Sequence, residues 1–474
     1  MNFVNIQQWG QKMNFTKSEL SRAETLRARG LDDEKLISLI IDHERAHGAE
    51  PKRLRAEMYD KMNHTCRKYT DRMIRMRFDY DFTLDTEAFK KVMVCFLEKT
   101  PVFHSAFKSN FFNPYWRVMD YKIDDVTETV EQPDVEADIL KFFEGSIPLE
   151  SNLQLFCKIF LHSGKTTICF LLNHMCSDGG DLKRFLVYLC KNYSEYIESG
   201  NSRMEFPCGP RGYRAVYANF SFKDKIKSAL LLTNPLSKEK HKLCLTPDSQ
   251  TDKAVIVRRS IDKELFSAAK TSAKCLGASV NDMLSAAYLR AVYELAEIGS
   301  KDPLEISCAV NLRRHMKHPE NTGMTNHTAF MVCAVPEMGE SIADTLKFVA
   351  ASTRKSKEDR FLGLHGLPLL DIGYKTMVYA QAQLVIRAVH SDANFVLSNV
   401  GEFKSGELAL NGHEPVDCFM CGGAKQKPSV LPVVCTSGGN MSMAVCIRGN
   451  DEDKKILERL FDLIVKNIKM ISEL

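Results

Sequence analysis

The stretch LLNHMCSDGGDLKRF, Leu171 to Phe185, decides how this chain is read. The run that leads into it, KTTICFLLN (165–173), is apolar almost throughout, as in a strand covered on both faces. Before it lies LQLFCKIFL (153–161), a second strand pattern, joined through His162-Ser163-Gly164. After the glycine pair 179–180, DLKRFLVYLCKNYSEYI takes up helical spacing. His174 therefore stands where a buried strand stops and a helix is about to start. Such a corner lets a side chain project into a cleft while its backbone stays fixed. Asp178 and Gly179 occupy the turn, where Asp bonds its own backbone and Gly permits positive φ. A neutral imidazole, with an ordinary pKa near ~6.5, suits proton abstraction at neutral pH. Taken alone, these residues leave two readings open, a general base and a packed core histidine. Asp178 reads as a structural anchor, because a buried carboxylate needs a cationic partner.

The 474 residues are long for one core and fit two domains. With 44% hydrophobic and 26% charged residues, the chain has enough apolar surface to fold. A net charge of +4 is too small for a dedicated nucleic-acid binder, and no aromatic-basic patch stands out. No segment approaches the ~18 consecutive apolar residues of a membrane span. MNFVNIQQWGQKMNFTKSEL lacks the apolar core of a signal peptide, so the expected location is the cytoplasm. The fifteen cysteines are odd in number, and Cys95, Cys169 and Cys446 sit inside apolar runs, where they act as small hydrophobes rather than as a disulfide scaffold.

Residues 1–56 read as a helical N-terminal extension. Residues 57–215 form a first α/β unit, 216–252 a connector, and 253–474 a second unit. In the first unit RMIRMRFDYDF alternates like a strand, and DTEAFKKVMVCFLEKTP has helical spacing. In the second, Ser279 caps SVNDMLSAAYLRAVYELAE. Strand patterns follow at LEISCAVNL, AFMVCAV, NFVLSNV and NMSMAVCIR, and DKKILERLFDLIVKNIKMI closes the chain as an amphipathic helix.

Two further motifs are weighed and set aside. HERAH, His43 to His47, matches the zinc-protease pattern, but its surroundings are charged and no third His follows at the required spacing. Cys418 and Cys421 form a lone Cys-x-x-Cys without a second pair. No resident metal or cofactor is expected.

On its motifs the sequence resembles the His-x-x-x-Asp-Gly acyltransferases: chloramphenicol acetyltransferase, condensation domains of nonribosomal peptide synthetases, and alcohol acetyltransferases. Besides His174, Asp178 and Gly179, the ordered matches are AFKKVMVCFLEKTPVFHSAF (88–107), GASVNDMLSAAYLRAV (277–292), ISCAVNLRRHM (306–316) and NFVLSNVGEF (394–403). The first departs from the family pattern, with His104 where an arginine is usual.

The resemblance implies an α/β (α+β) fold of two chloramphenicol-acetyltransferase-like subdomains forming a pseudo-dimer around a central channel. It implies that His174 deprotonates an alcohol or amine acceptor that attacks an acyl thioester. Asp178 would pair with Arg313 or Arg314, and Ser398 and Asn399 could donate to the oxyanion. No carrier or adenylation domain is legible, so acyl-CoA is the simplest co-substrate, with a carrier protein acting in trans as the alternative. A monomer is expected. A condensation-type enzyme and a catalytically silent binding member are the rival readings.

Overall fold

The computed structural model describes residues 52–200, 204–206, 208–231 and 241–474. His43 and His47 lie outside them, as does nearly all of the expected helical extension. Its last residues depart from that expectation. Arg53–Arg55 is a strand, β1, because it pairs antiparallel with Tyr115–Val118.

The remaining strands are β2 (Met73–Tyr80), β3 (Ser105–Lys108), β4 (Tyr115–Val118), β5 (Thr127–Glu131), β6 (Leu155–His162), β7 (Lys165–Asn173), β8 (Lys253–Ile261), β9 (Leu304–Asn311), β10 (Thr328–Val335), β11 (Val396–Phe403), β12 (Asp417–Cys421), β13 (Val433–Ser437) and β14 (Asn440–Gly449). They form three sheets. A small one runs β1-β4-β3. A five-stranded sheet runs β12-β2-β7-β6-β5, and a six-stranded sheet runs β10-β9-β11-β13-β14-β8.

Helices Thr86–Lys99 and Gly179–Ser199 cover one face of the five-stranded sheet. Helices Lys263–Cys275, Val280–Leu295 and Asp451–Ser472 cover one face of the six-stranded sheet. The Val280–Leu295 helix starts where the sequence predicts, because Ser279 and Asp282 form a reciprocal cap.

The two sheets are locked together by the period of their strands. Side chains alternate between faces. On β13, Val434 joins the core under the C-terminal helices, whereas Val433 and Cys435 join the N-terminal core. On β14, Met443 and Val445 face the C-terminal helices, while Ala444 and Cys446 meet Phe143, Phe160 and Cys169 of the other lobe. Burial on both faces is why these strands read as near-continuous apolar runs.

Strand β12 escapes the sequence pattern. It leaves the C-terminal half and pairs antiparallel with β2, becoming an edge of the N-terminal sheet. Cys418 and Cys421 lie on it three residues apart, so they point to opposite faces and enter different cores. Between them Phe419 packs edge-on against Phe143 at 5.9 Å and under the Arg258 guanidinium at 5.1 Å. Phe419→Ala is therefore expected to destabilise the whole protein by about 3–5 kcal/mol in chemical denaturation, since the cavity opens between the two lobes. A loss under about 1 kcal/mol would show that β12 does not bind them.

Candidate active site

Strand β7 ends at Asn173, whose buried carboxamide shapes the next turn. Its Nδ2 donates to Gln154 Oε1 (2.8 Å) and its Oδ1 accepts from Met175 N (3.0 Å). His174 N donates to the Arg72 carbonyl at 2.7 Å, continuing the β2–β7 ladder by one residue. The His174 side chain is half-buried. The Asn326 carboxamide lies 3.2 Å from the ring Nδ1, and its Oδ1 accepts from Thr328 N (3.0 Å). In the neutral tautomer that carries its proton on Nδ1, Nε2 is the nitrogen free to accept one, and the backbone at His174 and Ser177 favours a ring N–H. Burial lowers the His174 pKa below the ordinary value, so the ring is neutral at pH 7. The backbone at His174 and Ser177, together with the Asp178 charge, works in the opposite direction and favours an imidazolium once it forms.

Asp178 is the N-cap of Gly179–Ser199, its Oδ1 accepting from Asp181 N at 2.9 Å. Its Oδ2 accepts from Arg313 Nη1 (2.9 Å), His327 N (2.7 Å) and Thr328 Oγ1 (3.2 Å). Asp181, also fully buried, accepts from Arg184 (2.6 Å) and Thr325 N (2.7 Å), and lies 2.8 Å from Arg313 Nη2. One guanidinium thus serves two carboxylates that burial alone would neutralise. For Asp178, burial pushes upward, but Arg313 and the donated hydrogen bonds hold its pKa well below the usual carboxylate range. For Asp181, burial wins, with the Asp178 charge adding to it, and the pKa is pushed up to about 6 despite Arg313.

The glycines play a different part from the one expected. Gly179 and Gly180 open the helix, and neither has positive φ. What the site requires is the missing Cβ. At Gly180 a Cβ would stand 3.0 Å from Arg313 Nη1 and 3.1 Å from Asn311 Nδ2, and at Gly179 it would stand 3.3 Å from Val400.

Of the two arginines set beside Asp178 by the resemblance, Arg313 reaches it and Arg314 is exposed. They diverge because they sit in a 3-10 turn, Leu312–His315, that follows β9. Val400 against Gly179 brings β11 to the same corner. Among the described residues the Ser398 hydroxyl has no hydrogen-bond partner. The Asn399 carboxamide is engaged with Asn281 (2.6 Å) and Gly401 N (2.9 Å), where it holds a β-bulge rather than facing a ligand freely.

Sequence reasoning missed Arg72, Asp181 and the segment Thr325–Asn326–His327–Thr328. Asp181 stands at the N3 position of a capping-box pattern, yet turns to Arg313 instead of back to its cap. The polar run before β10 carries no signal of its own partners, which lie across the lobe boundary. His327 contributes its backbone N–H to Asp178 while its ring is buried beside Tyr213, 5.1 Å between centroids. Behind the loop a cavity of about 330 Å³ opens between Arg53, Arg55, Thr100, Val102, Arg211 and Met324. Val102 touches the loop through its carbonyl, which accepts from the Cys176 thiol at 3.8 Å.

Two mixed α/β lobes, joined by a crossed-over strand and meeting at the His174 corner, share their fold with solved condensation, epimerization and acetyltransferase structures. The first condensation domain of the CDA synthetase superposes with a TM-score of 0.66 at 11% identity, over 88% of this chain and 96% of that one. Trichothecene 15-O-acetyltransferase from Fusarium sporotrichioides gives 0.66 at 11% identity, over 89% and 97%. The epimerization domain from the third module of tyrocidine synthetase B gives 0.63 at 12% identity, over 91% and 98%. No family model matches the sequence, and no curated protein matches it. At such identities the likeness is one of fold.

Removing one partner from a buried ion pair leaves the other charge stranded, at a cost of about 3–5 kcal/mol. Arg313→Met and Asp178→Asn should each lose about that much in urea denaturation. The double variant should lose clearly less than the sum, because neither partner is left alone. Additive losses would show that the pair does not couple the lobes.

Proposed function

We propose that the protein is an acyltransferase that moves an acyl group from a thioester to an alcohol or amine, with His174 as general base. The observation that carries this reading is the half-buried His174 imidazole, kept neutral by burial and rooted at the fixed end of β7. The acceptor O–H or N–H gives its proton to the ring as its lone pair attacks the thioester carbonyl carbon. The C–S bond then breaks, and the imidazolium returns the proton to the departing thiolate. Asp178 does not touch the reactants. It holds the loop, and its ionised form supports the imidazolium at short range. We assign the Ser398 hydroxyl as a donor to the oxyanion of the tetrahedral intermediate, a role whose loss costs about 3 kcal/mol in the barrier. Asn399 keeps the bulge that presents it.

Acyl-CoA is the proposed donor. The cavity behind the loop is rimmed by Arg53, Arg55 and Lys99, a setting for the phosphates of such a molecule. The 15-O-acetyltransferase among the structural neighbours is consistent with O-acyl transfer. The condensation domains in the same group keep a carrier-bound thioester in view as the rival donor. All fifteen cysteines are free thiols, which fits a reducing compartment such as the cytoplasm. No helix among the described residues is long and apolar enough to cross a membrane.

His174→Ala should lower transfer from acetyl-CoA to a panel of alcohols and amines by a hundredfold to ten-thousandfold, roughly. A folded variant with full rate would end the proposal. Because the pKa is lowered, the ring stays unprotonated to lower pH than a free histidine, and the acid limb of kcat/KM should lie below the ordinary imidazole value of about 6.5. Asn326→Asp puts a carboxylate 3.2 Å from Nδ1 in place of the amide. It should move that limb upward by about one to three units. An unshifted limb would mean that the titrating group is not His174.

A further inference from the structure

We propose that Arg72 recognises a carboxylate beside His174, so that one of the two reactants is a carboxylic acid. The inference rests on the acyltransferase reading only for the word reactant. The binding site itself is argued from Arg72.

Arg72 is 8% exposed, yet among the described residues no Asp or Glu oxygen lies within ion-pair distance of its guanidinium. Nη1 meets only the Met175 thioether, at 3.1 Å, and the buried Nε has no partner. Other buried arginines each hold a carboxylate, even where, as in Arg313, Nε is also unpartnered. Arg75 holds Asp71 at 2.6 Å, Arg211 holds Asp60 at 2.9 Å, and Arg313 holds Asp178 at 2.9 Å. Asp71, next in the chain, is spent on Arg75 and on the N–H groups of Met73 and Ala424. Arg67 acts on Arg72 with like charge, and Asp71 and the exposed Glu150 act on it with opposite charge without coming within ion-pair distance, while Lys425 acts on His174.

The backbone roots this cation opposite the histidine. Met73 and Asn173 are ladder partners, and His174 N bonds the Arg72 carbonyl. Arg72 and His174 are thus rooted at facing positions of adjacent strands, about 5 Å apart. Arg72 also has a φ of 61°, a left-handed conformation that a side chain disfavours. The turn is pinned in that form, since Asp71 N bonds Ala424 O (3.1 Å) and Arg72 N bonds Thr70 Oγ1 (3.3 Å).

A buried guanidinium without a counter-charge is unfavourable, and an apolar side chain of similar length would fill the same space without that penalty. The chemistry that satisfies it is a planar monoanion taking two parallel N–H···O bonds. A phosphate dianion would leave a negative charge uncompensated next to a neutral imidazole. The shared chemistry is a carboxylate, on either the acceptor or the acyl chain of the donor.

The test compares the full-length protein with Arg72→Met and Arg72→Lys, with propionate as probe, and propionamide and inorganic phosphate as controls at equal ionic strength. Wild type and His174→Ala should show saturable binding of propionate by calorimetry, with no response to propionamide and a weaker one to phosphate. Arg72→Met should weaken propionate binding by about tenfold or more and melt at or above the wild-type temperature. Arg72→Lys should bind with intermediate strength. An Arg72→Met variant that melts well below wild type would mark the residue as structural and overturn the proposal. So would unchanged propionate binding, or phosphate binding as tight as propionate. In turnover assays, reactant pairs with and without a carboxylate on the acceptor or on the acyl chain locate its source. Arg72→Met should raise KM for the carboxylated reactant and leave KM for its uncharged analogue in place. Because the binding arm includes His174→Ala, a failure of the catalytic reading and a failure of carboxylate recognition give different results.

Discussion

The guanidinium of Arg313, lying between the buried carboxylates of Asp178 and Asp181, is the contact on which the rest of this structure depends. It comes from the end of a C-terminal strand and meets the start of an N-terminal helix. Two carboxylates this deeply buried cannot both stay ionised without it. With it, Asp178 is charged, caps its helix, and draws in the backbone N–H of His327 and the hydroxyl of Thr328. The segment that brings Asn326 to the His174 ring is anchored by these bonds. The lobes, the helix start and the environment of the imidazole are therefore set by one charge arrangement.

Packing makes that arrangement rigid. Strands β13 and β14 each feed two cores, and β12 crosses from one half of the sequence into the sheet of the other. A shift of one lobe would disturb side chains on both faces of these strands at once, and close-packed interiors do not deform gradually. The His174 corner is held by the same sheets, so its geometry is as fixed as the cores behind it. That fixity is useful for proton transfer, which depends on a short, directed approach of donor and base.

The fold does not choose the chemistry. Among the structural neighbours are an O-acetyltransferase, condensation domains and an epimerization domain, all at low identity and nearly full coverage. Function has to be argued from the side chains at the corner. Here the two cations nearest the loop differ in kind. Arg313 is ion-paired with two carboxylates and holds structure, whereas Arg72 has no ion pair among the described residues and is rooted opposite His174. A satisfied charge explains itself, and an unsatisfied one asks for a ligand.

Local pattern alone determined much of the chain. The apolar runs at 165–173 and 304–311 are strands, and the capping residue Ser279 opens a helix, because strand burial and helix capping are written in neighbouring residues. The placing of His174 at a strand-to-helix corner is legible for the same reason. Strand β12 was not legible, since its partner β2 is more than three hundred residues away. Nor was the choice between Arg313 and Arg314, which depends on which way a short turn rotates them. The glycines were legible as glycines but not for their reason. Arg313 and Val400 crowd them from distant parts of the chain, and only the assembled lobes supply those atoms. Arg72 shows the same division. Its sequence position marks the start of a strand, while its lack of an ion-pair partner among the described residues emerges only in the assembled structure, where neighbouring Asp71 is spent on Arg75.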